Sequence, residues 1–178
     1  MKEVLNLKMS MNEQVEKALN NQIKTEAHAS ATYLAMSAWC GEQGYDLTAG
    51  FFGKQAEEER SHMLKLFKYV NDRGGRAISP EITNIKTDFH SFRDLFERTL
   101  SMEMNVTQLF NDMAEKCITQ KDFVTFQFIQ WFLEEQIQEE YVARRILELF
   151  DVIGEEGISR WEIDKQVQKV KYEAYSEK

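Results

Sequence analysis

Apolar residues recur along most of this chain at alternating steps of three and four, the period of one helix face. Val15, Leu19, Ala29, Tyr33 and Met36 form the first stripe. It predicts a helix over about 11–40, opened by a Ser10-x-x-Glu13 capping box and ended near Gly41 and Gly44. Phe52, Ala56, Met63, Leu66 and Val70 predict a second helix over about 47–72, stopped by Gly74 and Gly75. Residues 76–90 contain Pro80 and keep no period; Ser91 then caps a third helix over about 91–117. Phe128, Phe132, Val142, Ile146 and Phe150 carry a fourth, over about 121–151. After Gly154 and Gly157, a second box, Ser159-x-x-Glu162, opens a short fifth helix over about 159–172 with Ile163, Val167 and Val170. One proline and eight glycines in 178 residues leave little else to interrupt helices, so the chain reads as all-α, a single domain over 1–178 without internal repeats.

Loop length selects the topology. Short connections join the first helix to the second and the third to the fourth, which makes each pair antiparallel. The connection between the second and third is about 15 residues, an extended reach of about 50 Å, against about 40 Å for a 27-residue helix. It therefore spans the bundle end to end, leaving the second and third helices parallel; a lid over the bundle is the other use of such a loop. The expected fold is a four-helix bundle with one long crossover and a short C-terminal fifth helix.

Polar residues interrupt these stripes at matching places. Glu26 lies seven residues from both Leu19 and Tyr33; Glu59 and His62 lie between Ala56 and Leu66; Glu103 lies seven residues from both Phe96 and Phe110; Gln136 and Glu139 lie between Phe132 and Ala143. Each is near the middle of its helix, so all converge on one level whichever way the helices point. Four carboxylates desolvated together would cost several kcal/mol each or take up protons, unless a cation neutralises them. Four acids with one neutral imidazole balance two divalent cations, and imidazole with carboxylate suits iron better than calcium or magnesium. Oxidation of both irons to Fe(III) leaves the site with two unbalanced positive charges, which favours processing iron over keeping it. Tyr33 and Trp131, on the seams near this level, are placed to supply an electron when oxygen is reduced.

Composition narrows the function. A formal charge of -8 and the lack of a basic, aromatic-interleaved tract argue against nucleic acid as a partner, and leave cations as a fitting one. No stretch approaches the roughly 20 apolar residues that span a bilayer. Met1 to Ser10 is too short and too polar for a signal-peptide core, and Cys40 and Cys117 are too few for a disulfide framework, so a cytoplasmic protein with reduced thiols is expected. His28, off the face of Glu26, and His90, in the crossover, are expected at the surface.

Glu26, Tyr33, Met36-Ser-Ala-Trp39, Glu58-Glu59-x-x-His62, Glu103, Gln130-Trp131 and Glu135-Gln136 together make the chain resemble the bacterial non-haem ferritins from about Asn12 to Lys165. The resemblance implies a ferritin-like bundle in which Glu26, Glu59 and His62 bind one iron and Glu59 bridges to a second held by Glu103 and Glu139, with Gln136 nearby. It implies a ferroxidase that takes Fe(II) and oxygen or hydrogen peroxide, and a homo-oligomer of twenty-four subunits storing ferric oxyhydroxide in a hollow shell. A third iron site of the family would fall on Glu58, Glu135, Gln138 and Glu139; glutamine replaces the usual glutamate at 138, so this site is expected to be weakened. Haem is not expected: bacterioferritin has a second E-x-x-H in its fourth helix and a haem-ligating Met where Arg60 stands here. Phe126 and Ile129 occupy the places of the acids that line the three-fold channel of animal ferritins, so that entry route does not carry over. The competing readings are a non-storage di-iron carboxylate enzyme acting on an organic substrate or peroxide, and a metal-free structural bundle.

Overall fold

The computed structural model describes residues 11–173. All regular structure among them is helical: α1 (Glu13–Gln43), α2 (Asp46–Asp72), α3 (Phe92–Thr119), α4 (Phe123–Ile153) and α5 (Ser159–Val167). Helix α1 starts from Asn12, whose side chain accepts the Gln14 N–H; the Ser10 half of the expected capping box lies outside the described residues. The helix runs past Gly41 to Gln43, because Gly44 and not Gly41 takes the left-handed conformation, at φ 80, that closes a helix end. Ser91 caps α3 by accepting the Asp94 N–H, and Asp122 does the same for α4 through the Thr125 N–H. Sequence reasoning had the second of these a residue or two early.

Side-chain pairs set the directions. Asn12 meets Gln120 and Met36 meets Thr99, so α1 and α3 are antiparallel. Ser30 donates to the Ala56 carbonyl and Ser37 to that of Ala49, so α1 and α2 are too. Both α2 and α3 oppose α1 and are therefore parallel to each other, and residues 73–91 carry the chain from one end of the bundle to the other. The start of this crossover is tied to α1: Asn20 accepts the Ile78 N–H and donates to the Arg76 carbonyl, and Glu16 accepts the Arg76 N–H. Its end is anchored by Phe89, packed edge-on to Trp39 beneath the Arg98 guanidinium. The long loop is a crossover, not a lid.

The fifth helix departs from expectation. It spans 9 residues and starts from Ile158 without a side-chain cap, so the Ser159-x-x-Glu162 box does not form; Ser159 is the first helical residue. Ile163 and Val167 are buried, and Val170, beyond the helix end, packs against the same core. What fixes α5 is Asp164, buried, whose carboxylate accepts the Thr48 N–H in the first turn of α2 and satisfies a donor that the helix itself leaves open.

The core is in two parts. One contains Tyr33, Met36, Phe52, Ala56, Phe92, Phe96, Ile146 and Phe150; the other contains Leu19, Ile23, Leu66, Val70, Val106, Phe110, Ile129 and Phe132. On every one of the four long helices the break between the two falls at the polar positions: after Ile23, after Ala56, after Phe96 and after Phe132. A polar layer thus crosses the bundle at mid-height.

Candidate metal centre

In this layer Glu26 is 1% exposed, Glu103 2%, Glu59 3% and His62 4%; Gln136 is buried as well, and Glu139 half-buried. Glu26, Glu59 and His62 come together, each offering a ligand atom within 4.8 Å of the others. His62 Nδ1 lies 3.2 Å from Glu59 Oε2. Gln22, one turn before Glu26 and buried, donates to Glu26 Oε1 at 2.8 Å, while Glu26 Oε2 is buried without any hydrogen-bond partner. An orphaned carboxylate oxygen beside a second carboxylate and an imidazole is the arrangement that a cation resolves and that protein interiors rarely leave.

Glu103 is held differently. The Tyr33 hydroxyl donates to its Oε1, and Gln136 Nε2 donates to its Oε2 and to its backbone carbonyl, each at 3.1 Å. Glu139 accepts from Gln55 Nε2 at 2.8 Å. Among the described residues neither acid belongs to a three-residue ligand cluster like that of Glu26, Glu59 and His62, and both are held by protein donors instead.

Electrostatics follow burial. Desolvation, and after it the charge of Glu59, push the Glu26 carboxyl well above the usual carboxylate range, against the opposing bond from Gln22. Burial and then the charge of Glu103 raise Glu59 likewise. Glu103 is raised by burial and partly relieved by its bonds from Tyr33 and Gln136. Glu139 is pushed up to about 8, chiefly by burial and the Glu103 charge. Burial and the same acids raise Tyr33. With no cation the layer holds protons; a cation entering must displace them.

A second group borders the first: Glu58, His62 and Glu135 also offer ligand atoms within 4.8 Å of one another. This differs from the third-site set read from the sequence, which had Gln138 and Glu139 with Glu58 and Glu135. Gln138 turns its amide N–H toward Glu135 Oε1 at 3.2 Å, acting as a donor where a ligand must accept, and Glu139 is taken by Gln55. His62 joins Glu58 and Glu135 in this group. Its ring is edge-on to Trp131 at 5.4 Å, and Lys65 Nζ sits 2.9 Å from the centre of the Trp131 ring on the other element. Sequence reasoning missed Gln22, Gln55 and Lys65; Gln22 alone had a signal, being polar one turn from Glu26 on the same stripe. His28 and His90 are exposed, and both cysteine thiols are buried and free, Cys40 pushed up to about 12 by burial.

The family of the Ferritin-like domain matches residues 16–153. A probable bacterial non-heme ferritin-like protein of Haemophilus influenzae is 38% identical over 157 residues, which are 88% of this chain and 95% of that protein. A bacterial non-heme ferritin of Campylobacter jejuni is 34% identical over 160 residues, 90% of this chain and 96% of its own length. Among solved structures, an open pore ferritin of Archaeoglobus fulgidus superposes with a TM-score of 0.86 at 31% identity, covering 89% of this chain and 97% of that one.

Proposed function

Since the chain belongs to the ferritin family and is an iron-storage ferritin subunit, we propose that its midplane layer is a ferroxidase centre that oxidises Fe(II), two ions per subunit, before storage. Iron is the substrate and the cargo. Glu26, Glu59 and His62 take the first Fe(II); Glu59 is shared with the second, which Glu103 and Glu139 complete. Support comes above all from one observation: Glu26 keeps a buried oxygen with no partner, inside a pocket of two acids and an imidazole. Two Fe(II) bring as much positive charge as the four carboxylates bring negative charge, and relieve the desolvation that otherwise holds protons there.

The remaining residues act around the metal. Gln22 fixes the Glu26 carboxylate and Gln136 that of Glu103, so that both face the layer. Tyr33 bonds to Glu103, which gives its phenolic proton an acceptor if the ring yields an electron to an oxidant at the centre. Dioxygen or hydrogen peroxide is the terminal acceptor. Once Fe(III) has formed, the excess positive charge favours departure toward the neighbouring acids Glu58 and Glu135, which together with His62 form a transient third position, weakened by Gln138.

The same reading makes residues 1–178 one domain, assembles twenty-four copies into a hollow shell filled with ferric oxyhydroxide, and puts the protein in the cytoplasm. No helix among the described residues is long and apolar enough to cross a membrane. Adding Fe(II) under air to the wild type and to Glu26→Ala, while following oxidation rate and particle size, tests it. Rapid oxidation and a mineral-filled shell in the wild type, with both slowed in the variant, are expected. Equal rates in the two proteins reject the centre, and a monomer or dimer that never retains iron favours a non-storage di-iron enzyme.

A further inference from the structure

Trp131 and its neighbours form a column running outward from the centre. The His62 ring meets Trp131 edge-on at 5.4 Å, Trp131 meets Phe132 edge-on at 4.9 Å, and the Lys65 ammonium sits over the indole face, 2.9 Å from its centre and 5.2 Å from that of Phe132. Lys65 is half-buried, one turn after His62 on α2, and makes no hydrogen bond or ion pair among the described residues; the charge of Glu135 acts on it as a counterweight. Its place on the ring is therefore its principal polar interaction. Trp39 and Trp161, the other two tryptophans, have aromatic neighbours and, among the described residues, no cation on their faces.

We propose that Lys65 shields Trp131 from one-electron oxidation, so that an indole lying against a metal ligand does not become a leak for oxidising equivalents. A cation is attracted to the negative face of a neutral indole. Loss of one electron turns that ring into a radical cation, and the attraction becomes repulsion between two positive charges at close range in a half-buried place. The fixed ammonium thus stabilises the reduced ring and destabilises the oxidised one, and both effects raise the cost of removing the electron. Tyr33 has no such cation: its hydroxyl points at Glu103, an acceptor for the proton that leaves with the electron. Lys65 in this way biases the two aromatics of the layer in opposite directions, and of the two electron sources expected from the sequence leaves Tyr33 and not Trp131 in that role. That the oxidant arises at the neighbouring centre rests on the ferroxidase reading; the electrostatic effect on Trp131 does not.

The test separates the two. Full-length, iron-depleted protein is exposed to azidyl radical from pulse radiolysis, a small neutral oxidant that takes one electron from an indole to give azide, the ring then releasing its Nε1 proton to water. Oxidised Trp131 is measured by peptide mass mapping against Trp39 and Trp161 in the same sample. Lys65→Met keeps the apolar stem over the ring and removes the charge; it is expected to raise the Trp131 yield relative to the references by about fivefold, while Lys65→Arg, which keeps the charge, stays near wild type. A ratio unchanged in Lys65→Met, or raised equally in Lys65→Arg, overturns the proposal. In a parallel arm with Fe(II) and air, Trp131 oxidation products are expected to accumulate over repeated cycles in Lys65→Met and not in wild type. A wild type that fails to oxidise Fe(II) at all would sink the ferroxidase reading and leave the azidyl result standing.

Discussion

On the α1–α2 side of the polar layer, Glu26, Glu59 and His62 face one another at ligand distance and leave a carboxylate oxygen unbonded; on the α3–α4 side, Glu103 takes hydrogen bonds from Tyr33 and Gln136, and Glu139 takes one from Gln55. Glu103 is buried as deeply as Glu26 and Glu59, so burial alone does not distinguish it from them. The difference lies in who answers the charge. On the α3–α4 side protein donors answer both acids; on the α1–α2 side Gln22 answers one Glu26 oxygen and the other is left for a proton or a metal ion. On the proposed ferroxidase reading, a first Fe(II) would enter a set of ligands already assembled, whereas a second would have to draw Glu103 and Glu139 away from partners they already have. Stepwise binding, tight and then weaker, is the consequence.

The largest effect expected from breaking this comparison is at Glu59, the acid common to both sides. Glu59→Ala should slow Fe(II) oxidation by more than the roughly 10–100-fold that loss of a partner behind a metal ligand costs, measured by stopped-flow absorbance under air. Tyr33→Phe comes next. It removes the donor that holds Glu103, so anaerobic titration should still find two Fe(II) per chain while the oxidation rate falls by about tenfold, at the lower end of that range.

Proton linkage is expected to be smaller and to carry a definite sign. Burial raises Glu139 from 4.5 to about 8, and raises Glu26 and Glu59 in the same direction. Between these pH values the folded, metal-free protein holds more protons than the unfolded chain, so its stability is greatest below about pH 4.5, as far as these groups decide it, and falls as pH rises through 8. Thermal unfolding of iron-free protein should show Tm falling across this window, and saturating Zn(II), which is redox-inert and replaces the protons, should flatten the slope. A Tm that rises with pH across the same window in iron-free protein would mean that the acids are ionised without metal.

The smallest effect concerns the outer position. Gln138→Glu replaces a donor to Glu135 with an acceptor, and should increase by one the number of cations retained beside Glu58 and Glu135, seen as extra Zn(II) density in crystals of the variant. Unchanged density there would show that His62, and not residue 138, completes this group.

Much of this was legible in the sequence, and what was not has physical reasons. The seam positions of Glu26, Glu59, His62, Glu103 and Gln136 are a matter of helical period, and period is local. The crossover followed from loop length against helix length, and Ser91 was readable as a cap because it precedes an apolar run. By contrast, Ser159 reads as a cap in isolation, yet α5 is positioned by Asp164 at the start of α2, more than a hundred residues away in the chain. Gln55 and Glu139 meet across two helices, as do Lys65 and Trp131, and no spacing within either helix announces the partner. Gly41 and Gly44 look alike as stops; only the backbone conformation tells which one ends α1.

Buried acids from four helices share their layer, on this account, because Fe(II) neutralises them there, beginning with the unpartnered oxygen of Glu26. Anaerobic Fe(II) calorimetry on wild type and Glu26→Gln tests it most directly. Two Fe(II) per chain bound in unequal steps with proton release, and loss of the tighter step in the variant, is the predicted result; fewer than two tight ions in the wild type, or an identical isotherm for Glu26→Gln, would contradict it.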